Sequence, residues 1–292
     1  MPTALRGYFP IMPTAFDEAG NVDVASMRRL TDFLIENGAH GMSPNGGDSE
    51  CYNLNAEERK RITDAVVEQA AGRAPVLVGT SGGSTEESVL LSRYAEKAGA
   101  SAVFVRPPAN REDMPDDEMF AHYATVCECI RIPVMIHATG NMTRPFMERL
   151  VQALPNVQYI KEETDHGPKT AAYVRAFEGR VSVFGPGVSL MAELDRGIVG
   201  YMPSCCEPRL YAGVFDLWQS GDEEGARRQW NRLLPIIHWR WRTNSFEAGK
   251  EYLKHRGIFT TSYSRANGGK RKLDEYDLKE MLSILSVTSP SE

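Results

Sequence analysis

Short apolar runs alternate with amphipathic helical stretches about eight times between Gly7 and Pro208, and few folds accept that order. The runs are Gly7 to Pro13, Gly41 to Ser43, Pro75 to Gly79, Ala102 to Val105, Pro133 to His137, Val157 to Lys161, Val181 to Phe184 and Gly200 to Pro203. Between them, helices are expected over Val24 to Asn37, Ala56 to Ala71, Glu86 to Lys97, Asp116 to Ile130, Thr143 to Leu154, about Pro168 to Phe177, and Val188 to Asp195. Asn55 and Thr85 stand where caps belong, and Gly38 and Gly99 where helices stop. Runs without polar alternation belong to strands covered on both faces, hence to a parallel sheet. The class is α/β, and the count favours a closed (β/α)8 TIM barrel. A doubly wound open sheet would prefer a glycine-rich phosphate loop after the first run, and Pro13-Thr14-Ala15-Phe16 stands there instead.

After about Pro208 the apolar runs stop. Helices are expected over Leu210 to Ser220, Asp222 to Leu234 (with Pro235 interrupting), Phe246 to Arg256 and Asp274 to Ser286. The chain therefore reads as a barrel over residues 1–207 and a C-terminal helical extension, 208–292, packed on it. Trp218, Trp230, Trp239 and Trp241 all fall in the extension, for helix packing or for an oligomer contact. With 292 residues, 42% of them hydrophobic, a large core is available. Lys and Arg total 33 against 39 Asp and Glu; an unclustered net charge of −6 argues against nucleic-acid partners and against anionic membrane surfaces. No apolar stretch is long enough to span a bilayer, and Met1 to Arg6 carries no signal-peptide core. Five cysteines form neither a disulfide framework nor a zinc spacing, so a reduced, cytoplasmic protein is expected. The six histidines show no metal-binding spacing, and no metal is expected.

In such a barrel the strand ends and the loops after them build the site. Lys161 closes the run Val157 to Lys161 and is followed by Glu162 and Glu163. An amine held there, half in the barrel and half in a cleft, loses its charge by desolvation and becomes a nucleophile; the alternative is an ion-paired surface lysine. Glu163, two residues on, shares the face of Lys161 at roughly 6–7 Å along an extended strand. It is a candidate acid/base, or else an ion-pair partner of Lys161 or Arg106. Glu162, on the opposite face, is expected to be structural. His137 ends another run and titrates near neutral pH, as a proton carrier should. Thr80, Ser81 and Ser204 are candidate hydroxyl contacts, and Gly185 and Met202 candidate substrate contacts at their strand ends.

The stretches Gly7-Tyr8-Phe9-Pro10-Ile11-Met12-Pro13-Thr14, Asn45-Gly46-Gly47-Asp48-Ser49-Glu50, Tyr159-Ile160-Lys161-Glu162-Glu163-Thr164 and Gly197-Ile198-Val199-Gly200-Tyr201-Met202 together resemble the dihydrodipicolinate synthase / N-acetylneuraminate lyase superfamily of Schiff-base lyases. The resemblance implies a covalent imine between Lys161 and the keto carbon of a small 2-oxo acid, with no cofactor. It also implies that Gly47, Asp48 and Ser49 hold the substrate carboxylate, and that the protein is a homotetramer or dimer. Asp48 is then odd, because a carboxylate repels a carboxylate: it either turns away or meets substrate hydroxyls. The chain departs from the usual Tyr-Asn-x-Pro-Gly-Arg pattern, which here is His137 to Met142. His137 replaces the relay tyrosine, Met142 the arginine that grips a second carboxylate, and Pro108-Ala109 a tyrosine pair. These departures, with Phe9-Pro10 to Thr14, Ser49-Glu50, Lys161 to Thr164, Gly185-Pro186 and Ala248 to Leu253, are similar to the sugar-acid dehydratase branch, the L-2-keto-3-deoxyarabonate dehydratases. A protonated imine at C2 acidifies C3, and the enamine then expels a C4 hydroxyl or cleaves C3–C4. A dehydratase is expected first, a pyruvate-releasing aldolase second, and a non-catalytic 2-oxo-acid-binding barrel third.

Overall fold

The computed structural model describes residues 4–108, 114–165 and 167–288, so Ala109 of the replaced tyrosine pair lies outside the described residues. Seven strands form one parallel sheet: β1 (Gly7–Tyr8), β2 (Leu77–Gly79), β3 (Ala102–Val105), β4 (Val134–His137), β5 (Val157–Lys161), β6 (Ser182–Gly185) and β7 (Gly200–Tyr201). Their order is β1-β7-β6-β5-β4-β3-β2. The expected run Gly41 to Ser43 makes no extended ladder. Instead Ser43 bridges Ile11 and Met42 bridges Val76, both in parallel, so this segment lies between the β1 and β2 ends of the sheet. Ser43 donates its N–H to Pro10 O and Leu77 donates to Met42 O, each at 2.9 Å. A curled, seven-stranded parallel sheet with this bridging segment is consistent with a (β/α)8 barrel.

The period-2 alternation of the strands sorts their side chains into two layers. Leu77, Ala102, Phe104, Met135, Tyr159 and Phe184 pack with Phe9, Ile11 and Met202 in one buried cluster inside the sheet. Val78, Val103, Val105, Val134, Ile136, Ile160 and Val183 face the other way, into a cluster shared with the helices. His137 is in phase with Met135 and Lys161 with Tyr159, so both belong to the inner face at its C-terminal end. Register pairs His137 with Lys161 directly.

Helices α1 (Val24–Glu36), α2 (Ala56–Ala70), α3 (Thr85–Ala98), α4 (Asp116–Cys129), α5 (Arg144–Ala153), α6 (Pro168–Ala176) and α7 (Leu190–Asp195) lie within a residue or two of the expected ranges. One cap differs. Ser84, not Thr85, caps α3 by accepting from Glu87 N–H. The Thr85 hydroxyl instead bonds His122 Nδ1 at 2.9 Å, and His122 Nε2 bonds Arg106 O at 3.2 Å.

The extension comprises α8 (Pro208–Gln219), α9 (Glu223–Thr243), α10 (Phe246–His255) and α11 (Glu275–Thr288). Its apolar residues, Leu210 through Leu285, belong to the same cluster as the outer strand faces. The expected stop at Leu234 is not observed: α9 runs on through Pro235 for two more turns. A mid-helix proline costs about 3 kcal/mol. Beyond it Ile236 and Trp239 are fully buried, and each such side chain contributes about 1.5–3 kcal/mol. Trp239 Nε1 also donates to Asp277 O of α11 at 2.9 Å. Burial on the far side of the proline therefore offsets its cost. Among the described residues no helix is long and apolar enough to cross a membrane.

Candidate active site

A cleft of about 570 Å³ opens at the C-terminal ends of β3 to β7. Lys161, Glu163, His137 and Phe104 line it from the sheet, Gly47 and Asp48 from the loop after Ser43, and Met202 and Ser204 from beyond β7. Arg106, Pro186, Tyr211, Ile237, Arg240, Trp241 and Asn244 also line it.

Three expected residues converge. Lys161 Nζ lies 2.7 Å from Glu163 Oε2, and His137 Nε2 contacts the other oxygen, Oε1. The ion pair expected as an alternative for Glu163 is therefore made, with Lys161 as its cation. The His137 ring stacks on Phe104, centroids 4.8 Å apart, and Lys161 Nζ stands 5.7 Å from the same ring. Lys161 and His137 are each about 5% exposed. Burial, with the Lys161 ammonium beside it, pushes the His137 imidazole down to about 4, against the pull of Glu163. Burial works against ionisation of Glu163 as well, but Lys161 and then His137 hold its carboxyl well below the usual carboxylate range. With its pKa near 4, His137 is uncharged at neutral pH, and because an ionised Glu163 only accepts, the imidazole proton is on Nε2. Its Nδ1 is buried without a hydrogen-bond partner.

His137 titrates near 6.5 in an unfolded chain and near 4 in the fold, so below 6.5 the unfolded chain binds the proton first. The stability it contributes as a neutral group is complete above pH 6.5 and is lost as pH falls towards 4, on the order of 3 kcal/mol. Urea titrations of wild type and His137→Asn between pH 7.5 and 4 are expected to converge, the variant losing less stability on acidification. Parallel curves would show that His137 does not titrate in that window.

Several hydroxyls expected in the site are spent elsewhere. Ser49 is fully buried; its Oγ donates to Met12 O at 2.5 Å and accepts from Gly46 N–H at 2.9 Å, so it closes the loop from behind. Thr80 accepts from Ser92 Oγ, and Ser81 Oγ accepts from Arg106 N–H at 2.9 Å. Gly185 is a packing glycine and does not line the cleft: a Cβ there would fall 2.2 Å from Glu193 Oε2. The Glu193 carboxylate in turn accepts from the N–H groups of Gly187, Val188 and Ser189, which shapes the loop that presents Pro186. Glu162 is structural as expected, accepting from Thr164 N–H at 2.6 Å and Thr164 Oγ1 at 2.5 Å. Gly47, Asp48, Met202 and Ser204 do line the cleft. Gly47 and Asp48 open a short 3-10 turn, the position at which backbone N–H groups have no intrahelical acceptor.

The wall supplied by α9 was not foreseen. Ile237, Arg240, Trp241 and Asn244 lie beyond Pro235, and they reach the cleft because the helix continues. The buried stripe Leu233, Ile236, Trp239 was the available signal. Met142, at the place of the family's second-carboxylate arginine, is buried in the core and absent from the lining. Among the described residues no group of three or more His, Cys, Asp or Glu side chains is arranged to hold a metal ion.

The dihydrodipicolinate synthetase family model matches residues 4–283. The chain belongs to that family. Its members are Schiff-base lyases. The chain is 30% identical over 273 residues to L-2-keto-3-deoxyarabonate dehydratase of Azospirillum brasilense, covering 89% of this chain and 87% of that one. It is also 30% identical over 249 residues to 4-hydroxy-tetrahydrodipicolinate synthase of Bradyrhizobium diazoefficiens, with 80% and 81% covered. A putative dihydrodipicolinate synthetase from Pseudomonas aeruginosa superposes with a TM-score of 0.91 at 24% identity, over 98% of this chain and 100% of that one, which supports the shared fold.

Proposed function

We propose that this protein is a (β/α)8-barrel dehydratase of a 2-keto-3-deoxy sugar acid, with Lys161 as the imine-forming nucleophile. The observation that carries the reading is the single carboxylate of Glu163 set against both Lys161 and a neutral His137. Identity alone does not choose between the dehydratase and the synthase, since both relatives stand at 30%. Met142 in the core and His137 in place of the relay tyrosine favour the dehydratase.

The residues then divide the work. The N–H groups of Gly47 and Asp48, with Arg106, receive the α-carboxylate. The Lys161 ammonium gives one proton to Glu163, its freed Nζ attacks C2, and Glu163 returns that proton to the departing C2 hydroxyl, so that loss of water leaves the protonated imine. Glu163, 2.7 Å from Nζ, is placed to take a proton from C3 once the imine has formed, giving the enamine. The enamine expels the C4 hydroxyl, which departs as water with a proton returned through Glu163, and His137 Nε2–H holds that carboxylate in position. For a five-carbon substrate, migration of the double bond and hydrolysis release 2,5-dioxopentanoate and free Lys161. Phe104, Met202 and Pro186 supply apolar lining beside these charged groups.

The test is product analysis with 2-keto-3-deoxypentonate. An oxo-aldehyde of unbroken carbon chain supports dehydration; pyruvate with a two-carbon aldehyde would replace the reading by an aldolase. Glu163→Gln is expected to retain a trapped pyruvate adduct on Lys161 while turnover falls about 10²–10⁴-fold, the usual yield of a positioned acid/base. Turnover within threefold of wild type would remove Glu163 from the chemistry. A homotetramer or dimer is the assembly we propose, measurable by light scattering.

A further inference from the structure

We propose that Asp48 and Arg240 form a clamp for the hydroxyl-bearing distal end of the substrate, restricting the cleft to 2-oxo acids with one carboxylate. The proposal rests on the Schiff-base reading and narrows its substrate class.

Asp48 comes from the loop that also offers backbone N–H groups, and Arg240 from the last turns of α9, on another wall of the same cleft. Their nearest atoms, Asp48 Oδ2 and Arg240 Nη2, stand 4.0 Å apart. That is beyond a hydrogen bond, yet a hydroxyl oxygen about 2.8 Å from each closes the triangle, donating to the carboxylate and accepting from the guanidinium. Arg240 is held for this purpose. Its Nη1 donates to Ser245 O at 2.7 Å, while its Nε is buried without a partner. Its side chain is only 17% exposed, whereas that of Asp48 is 53% exposed, on the open side where a substrate tail enters.

The charges lining the cleft agree. Lys161, Arg106 and Arg240 are opposed by Glu163 and Asp48. Among the described residues Lys161 is matched by Glu163 and Arg240 by Asp48, which leaves Arg106 for one substrate carboxylate. A second carboxylate seated there would still meet Arg240 Nη2, but it has no proton to give Asp48, so the hydroxyl's bond to that carboxylate becomes a like-charge contact. The carboxylate-gripping arginine of the synthases is replaced by buried Met142, so the cleft offers no alternative seat there.

Two five-carbon acids test this, 2-keto-3-deoxypentonate and 4-hydroxy-2-oxoglutarate, which differ only in a terminal hydroxymethyl against a carboxylate. Dissociation constants are measured by calorimetry in Lys161→Ala protein, where no imine forms, with and without Asp48→Asn. Asp48→Asn is isosteric at an exposed site, so it folds. The Lys161→Ala protein is expected to bind the pentonate at least 30-fold more tightly than the dicarboxylate. Asp48→Asn should narrow that ratio at least tenfold, and Arg240→Met should weaken the pentonate at least tenfold. Equal affinity for the two acids, or a ratio unmoved by Asp48→Asn, would overturn the clamp. Borohydride trapping of pyruvate on otherwise wild-type protein judges the imine separately: loss of that adduct sinks the Schiff-base reading, while the affinity ratio still decides the clamp.

Discussion

Lys161→Ala is expected to abolish the borohydride-trapped pyruvate adduct and to lower kcat/KM at least about 10⁴-fold, because no other group can supply the electron sink. Among the described residues, the other lysines near the C-terminal face do not line the cleft. The fold should survive the change. Removing the amine leaves Glu163 with His137 Nε2–H as a donor and with its side chain partly open to water. Peptide mass spectrometry after reduction reads the adduct, and circular dichroism reads the fold. An adduct that persists on another lysine would relocate the nucleophile, and turnover within tenfold of wild type would end the imine mechanism for this chain.

The largest effect on stability is expected far from Lys161 in sequence. Lys250 of α10 is fully buried, and its Nζ contacts Glu50, which is also buried. Nζ donates to Tyr263 O at 3.0 Å as well, and lies 4.3 Å from the centroid of the Phe16 ring. The second oxygen of Glu50 accepts from Ser264 Oγ at 3.1 Å and Ala266 N–H at 2.7 Å. Glu50 itself adopts φ +56°, a left-handed conformation that a side chain enters only when its surroundings hold it there. It ends the turn that carries Gly47 and Asp48 into the cleft. Lys250→Met removes the cation and strands a buried carboxylate, at about 3–5 kcal/mol. The corresponding fall in Tm is about 10 °C for a chain of this size. Glu50→Gln combined with Lys250→Met is expected to recover most of the loss, since an uncharged pair carries no stranded charge. Chemical denaturation of the two single variants and the double variant checks this. A loss below about 1 kcal/mol in Lys250→Met would show the pair to be dispensable. The same variant should raise KM, because the loop that seats the substrate carboxylate loses its anchor.

Lys161 and His137 were legible because each stands in phase with apolar residues of its own run, and Glu163 because it follows Lys161 by two residues. Strand alternation then forces them to one face, whatever the partners. The helices were legible for the same reason: their apolar spacing and their caps are local properties, and only the cap of α3 moved, by one residue. The hydroxyls were not. Ser49, Thr80 and Ser81 each had an oxygen in a plausible place, but a hydroxyl bonds whichever acceptor or donor packing brings near. Arg240 was hidden by Pro235. Local propensity argues for a stop there, and only the burial of Ile236 and Trp239 against other helices outweighs it.

The order of short apolar runs and amphipathic helices, by itself, determined a parallel α/β fold with a lysine, a histidine and a glutamate at its C-terminal face. Those features depend on periods of two and 3.6 residues, which a chain carries wherever it goes. Tertiary structure alone decided that α9 walls the cleft, that Asp48 faces Arg240, and that Lys250 anchors Glu50 across 200 residues of chain. Such pairings depend on where distant elements come to rest against one another, and no local pattern records that.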